Sequence, residues 1–146
     1  MADQTLGEHT AQAMLVIDAD PEQIWRTFTQ PPLVKEYLFG TTLTTDWAVG
    51  SDVTYSGEWN GEPYEDRGTV VEVREPLRLV TTFFSPSSGR EDTPENRQTV
   101  TRHPPSMGWM RVTVTQDNNV TREAAEQSSA SWQEILERVA DIAPRA

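Results

Sequence analysis

The sequence predicts an α+β domain in which an antiparallel sheet of about six to seven strands packs on one long C-terminal helix, with two short helices after the first strand. Three observations predict it. Helical period occurs near the two ends of the chain, at Asp20 to Leu38 and again at Thr121 to Ala143. Between them, from Thr41 onward, Thr, Val, Tyr, Trp and Phe dominate and turn residues recur at short intervals. The connections in that middle are of hairpin length, whereas a parallel sheet needs crossover helices.

Ala11 to Ile17 reads as the first strand, and Asp20 to Phe28 as the first helix. Asp20 suits the N-cap, Pro21 the first helical position, and Gln23 the third position of a capping box. Ile24, Trp25 and Phe28 then fall on one face. Pro31-Pro32 stops this helix and starts another, with Leu33, Val34, Tyr37 and Leu38 on one side and Gly40 at a C-cap position.

Val53, Tyr55, Gly57 and Trp59 alternate with Asp52, Thr54, Ser56 and Glu58, which describes a half-buried strand. Asn60-Gly61 is a strong hairpin signal. Strands are expected at Gly68 to Val73, Arg78 to Phe84, Asn96 to His103 and Gly108 to Gln116. Ser85 to Asn96 reads as a long polar loop and Asp117-Asn-Asn119 as a turn. In the last helix Trp132, Ile135, Leu136, Val139 and Ile142 form one apolar stripe, extended N-terminally by Ala125 and Ser128, and Pro144 ends it.

The length of 146 residues suits one domain. Residues 1–10 are polar and read as a flexible tail without the apolar core of a signal peptide; residues 11–146 form the expected domain. With no cysteine, disulfides, thiolate metal sites and cysteine nucleophiles are excluded. The formal charge is -11, and Lys35 is the only lysine. Such a chain is repelled by nucleic acid and by anionic lipid, and no basic patch offsets this. No apolar run approaches the ~18 residues of a membrane span. The expected location is the cytoplasm.

The order of these pieces resembles the helix-grip fold of the START/polyketide-cyclase-like (SRPBCC) superfamily. More narrowly it is similar to the bacterial relatives of the activator of heat-shock protein 90 ATPase. The resemblance rests on Ile17-Asp-Ala-Asp-Pro-Glu-Gln-Ile-Trp25, Tyr37-Leu-Phe-Gly40, Asp46-Trp-Ala-Val-Gly50, Gly68-Thr-Val-Val-Glu-Val-Arg-Glu-Pro76, Arg78-Leu-Val80, Trp109-Met-Arg-Val-Thr-Val-Thr115 and Ser131-Trp-Gln-Glu-Ile-Leu136. It implies a curved sheet wrapped around the last helix. Two positions depart from the family pattern. Gln116 stands before Asp117 where relatives often carry His, and Ser131 stands before Trp132 where they commonly carry Gly.

Catalytic sets are poorly represented. The only histidines are His9, in the tail, and His103, which suits a strand end better than a general base. No Gly-x-Ser-x-Gly occurs, and the clusters Glu62-Pro-Tyr-Glu-Asp66 and Glu91-Asp92 lack the spacing of a calcium loop. Neither metal nor cofactor is expected.

Five tryptophans are many for this length, although core packing accounts for any one of them. A curved sheet and a helix need not touch along their full length, and the gap between them becomes an apolar pocket, typically ~300–1,000 Å³. Its expected lining is Tyr55, Trp59, Phe83, Met110, Val112, Val114, Gln116, Ser128, Trp132 and Ile135. Gln116, Ser128 and Ser131 are the polar groups placed to orient a ligand. The reading is a binding protein for a small hydrophobic molecule, monomeric or homodimeric. The alternatives are a cyclase- or hydrolase-like enzyme on an apolar substrate and a chaperone-interacting module.

Overall fold

The computed structural model describes residues 9–104 and 111–146. The expected lining residue Met110, and Trp109 beside it, lie outside them. The chain runs β1 (Ala11–Val16), α1 (Pro21–Thr29), α2 (Pro31–Tyr37), β2 (Thr42–Thr44), β3 (Asp52–Trp59), β4 (Glu62–Arg74), β5 (Arg78–Phe83), β6 (Gln98–His103), β7 (Arg111–Gln116) and α3 (Arg122–Ile142). Short 3-10 turns follow β5, precede β6 and close the chain after α3.

All seven strands pair antiparallel in the order β1-β7-β6-β5-β4-β3-β2, so the first and last strands lie side by side. This is the helix-grip arrangement of a curved sheet, a long C-terminal helix and two short helices after β1. The three-residue β2, which the sequence pattern did not single out, pairs with β3. Asn60 and Gly61 both take positive φ, 54° and 80°. A two-residue turn of that kind fixes the register of the strands it joins. It pairs Trp59 with Glu62 at once, so β4 starts at Glu62 and not at the expected Gly68. The polar Glu62 to Arg67 stretch is therefore strand by register and not by apolar alternation.

Helix starts follow local chemistry. The Asp20 N–H donates to Gln23 Oε1 at 2.9 Å, one arm of the capping box. Thr121 Oγ1 accepts from the Ala124 N–H at 3.0 Å and caps α3. Gly40 ends the second helical stretch with φ 95°.

The Ser85 to Asn96 connection is pinned, contrary to its composition. Arg97 makes a two-pronged contact with Asp92, at 2.7 and 3.0 Å, and also donates to Thr69 and Thr82 on the sheet. The Arg97 hydrogen bond holds the Asp92 carboxyl below its usual range.

Residues paired directly across strands share a face. One face carries Leu79, Arg102, Val114 and Ala13 in one row, and Thr81, Val100, Gln116 and Ala11 in the next. It receives α3 through Leu136, Val139 and Ile142, and packs with Ile17, Ile24, Phe28 and Val34 from the first third of the chain. The helix sits closest to β1. Ala11 and Ala13 are small there, and the Gln12 N–H donates to Ser129 Oγ at 3.0 Å. Over β5 and β6 the helix backbone stands farther off, and long side chains fill the interval.

Candidate functional site

That interval is the candidate site. Its floor is the concave face of β3 to β6, and its roof is the middle of α3. Arg102, on β6, is only 5% exposed. Its Nη1 donates to Thr81 Oγ1 at 3.3 Å and its Nη2 to Tyr55 Oη at 3.4 Å, both long, while the buried Nε–H has no partner among the described residues. Its guanidinium lies 5.8 Å from the Trp132 ring centroid on α3. Among the described residues Arg102 forms no ion pair with a carboxylate. A buried charge in this state carries a desolvation penalty of several kcal/mol. A ring contact returns about 0.5–2 kcal/mol. Two stretched hydroxyl contacts do not close that gap.

The surroundings respond to this charge. Tyr37 is fully buried, and burial pushes its hydroxyl far above the usual phenol range; the positive charge of Arg102 pulls the other way and Tyr55 pushes up. Phe83 stands beside Tyr55, with ring centroids 6.1 Å apart.

A second set of polar contacts fixes the wall. Gln116 Nε2 donates to Gln98 Oε1 at 2.9 Å, and Trp132 Nε1 donates to Gln116 Oε1 at 2.7 Å. Asn119 Oδ1 accepts from Gln98 Nε2 and from Ser128 Oγ, each at 3.0 Å. The departure from the family pattern at Gln116 thus has a local use: an amide can accept from the indole and donate to Gln98 together. Gln116 and Ser128, expected to orient a ligand, are taken up in holding α3 and the Trp132 ring on the sheet. Ser131 is exposed.

The other expected lining residues divide. Tyr55 meets Phe83 ring to ring and shares the Arg102 guanidinium with Trp132, while Phe83, Trp132 and Ile135 are partly buried residues packed against the core. Val112 and Val114 are fully buried in the closed part of the core. Trp59 does not join them. It is 72% exposed at the last position of β3, where the hairpin runs past the covering helices. Alternation predicts its face correctly, but a face is buried only as far as something covers it.

Two charged residues on the inward face were missed by residue type. Arg102 lies two positions from Val100, and Asp66 two positions from Gly68, in phase with buried neighbours. A charge in phase with the apolar residues of a strand is the signal that finds both. Asp66 is Tyr55's partner across the β3–β4 ladder, and burial raises its carboxyl above the ordinary value against the opposing hydrogen bond from Ser85. Because the folded chain then holds this proton more tightly than the unfolded one, stability falls as pH rises through the window that begins at the ordinary value of 3.8. Asp66→Asn is therefore expected to raise the urea midpoint at pH 7 and to leave it unchanged near pH 3. A lower midpoint at pH 7 would show that the carboxylate is compensated.

His103 pairs with Thr113 and points to the outer face, opposite Arg102. Burial, then the neighbouring Arg78, lowers its basicity, and Glu72 opposes them. Among the described residues no three His, Asp or Glu side chains gather to hold a metal ion, and no helix is long and apolar enough to cross a membrane.

The curved sheet, the enclosed face and the gripping helix define a helix-grip domain. The chain belongs to the family described as activator of Hsp90 ATPase homolog 1-like protein, whose model matches residues 18–143. It is similar to ChR145 from Cytophaga hutchinsonii, known from a solution structure, at 40% identity over 88% of each chain with a TM-score of 0.72. CV1439 from Chromobacterium violaceum shares the fold at 18% identity, covering 93% of this chain and 98% of its own, with a TM-score of 0.73. MLL2253 from Mesorhizobium loti does so at 23% identity, 94% and 98% coverage and a TM-score of 0.72. No curated protein matches the chain.

Proposed function

We propose that this protein binds a small apolar molecule between the concave face of its sheet and α3. One observation carries the reading: Phe83, against the buried Tyr55 on the sheet, and Trp132, over Arg102 on α3, are both only partly buried. A domain that needed only a core would close these large apolar groups on one another. Binding is favoured over catalysis because Gln116 and Ser128 serve the framework and His103 faces away.

Nile red, an uncharged dye, tests the reading. We expect saturable one-to-one binding with a blue-shifted emission, weakened severalfold or more in Trp132→Ala. Emission that never saturates, or a Trp132→Ala variant that binds as the wild type does, would sink it.

A further inference from the structure

We infer that Arg102 is the seat of a monoanionic carboxylate head, so that the molecule held under α3 is an amphiphile with an apolar body and one carboxylate. The inference rests on the binding reading above and names the chemistry of its ligand.

The donors around Arg102 converge without an acceptor to match them. Among the described residues the buried Nε–H has no partner, and each Nη donates only to a neutral oxygen. Thr81 Oγ1 and Tyr55 Oη accept from Arg102, and no further contact uses their own protons. The Nε and Nη edge of a guanidinium matches the two oxygens of a carboxylate, and two hydroxyls can add donors to such a pair. These residues come from β3, β5 and β6, so the convergence belongs to the curved face and not to one loop.

Charge selects the valence. Among the described residues Arg102 is the one cation on this face; its neighbours Tyr37, Tyr55, Thr81 and Trp132 are uncharged, and Asp66, across the ladder from Tyr55 on the same face, forms no ion pair with it. One carboxylate balances it. A dianionic phosphate would leave a second buried charge without a partner, in a chain that already carries a net charge of -11. Position selects the body. Trp132 lies over the guanidinium and Phe83 stands against the ring of Tyr55, which the guanidinium contacts, so a ligand whose head reaches Arg102 lays its chain against aromatic surface.

Competition against Nile red at pH 8 tests this, with dodecanoate, dodecanol and dodecyl phosphate each kept below aggregation. In the wild type, dodecanoate is expected to displace the dye at about tenfold lower concentration than dodecanol, the size of one charge-assisted hydrogen bond gained. Dodecyl phosphate is expected to be weaker than dodecanoate. Arg102→Met should bring the acid and the alcohol level while still binding Nile red. It should also fold, since exchanging a buried charge for an apolar chain of similar volume is neutral or stabilising. Arg102→Lys, which keeps the charge but loses the fork, should retain part of the acid preference.

Equal displacement by acid and alcohol in the wild type would overturn the inference, as would an acid preference that survives Arg102→Met. Phosphate competing as well as carboxylate would overturn the monoanionic assignment. In those cases Nile red still binds and the apolar reading stands. Failure of Nile red itself removes the apolar reading, and the carboxylate seat falls with it.

Discussion

Gly68→Ala is expected to cost the fold more than about 3 kcal/mol, at or beyond the upper end of ordinary overpacking. A Cβ at this position would run into the Thr82 carbonyl oxygen and stand 2.7 Å from its carbonyl carbon. Both are backbone atoms of β5, a central strand held on its two sides by β4 and β6. Nothing there can rotate away. The ladder is already irregular at this point. The Thr69 N–H donates to the Thr82 side chain at 2.9 Å, and the register shifts between Val70 and Glu72. A glycine beside a bulge is a usual way to bend a sheet. Tyr55, on β3 beyond this point, lies with its hydroxyl 3.4 Å from Arg102 Nη2. Denaturant unfolding measures the cost, and Gly57→Ala is the control. Its Cβ would meet only the Tyr64 ring and hydroxyl, the nearest atom at 2.7 Å, and a side chain can move. That variant is expected to lose about 1 kcal/mol, the worth of the Tyr64–Thr41 hydrogen bond it disturbs. If the two variants are equally stable, the close approach at Gly68 does not hold the bend.

Phe28→Ala is expected to lose about 3–5 kcal/mol. Phe28 is 2% exposed and meets the Tyr37 ring edge-on with centroids 6.2 Å apart. It lies where α1, α2 and the sheet converge, so removing the ring opens a space that three elements border. Phe28→Leu should cost clearly less, because most of the volume stays. Equilibrium unfolding in urea compares the three chains, and a Phe28→Ala loss below about 1 kcal/mol would mean that the helices collapse into the space.

Much of the scaffold was legible because it depends on near neighbours. The Asp20-Pro-Glu-Gln23 start is a set of contacts within four residues, and the structure makes one of them at 2.9 Å. The Trp132 to Ile142 stripe needs only helical period. The Asn60-Gly61 turn was legible too, but its consequence for Glu62 to Arg67 was not, since there the turn and not the side-chain pattern sets the register. The candidate site was half legible. Tyr55, Phe83, Trp132 and Ile135 follow from alternation and helix phase. Trp59 was misplaced because period assigns a face without saying how far that face is covered.

By itself, then, the sequence determined the order of the elements, the face each strand and helix turns inward, and the caps that start the helices. These are local, set by period and by hydrogen bonds a few residues long. Only the tertiary structure decided what meets on the inward face. Tyr55 and Arg102 are 47 residues apart, and Trp132 and Gln116 are 16 apart on different elements. Their approach depends on the strand order, which no local period encodes. It also decided that, among the described residues, the buried Arg102 guanidinium on that face has no carboxylate paired with it. A charge is compensated or not by whatever the fold carries to it.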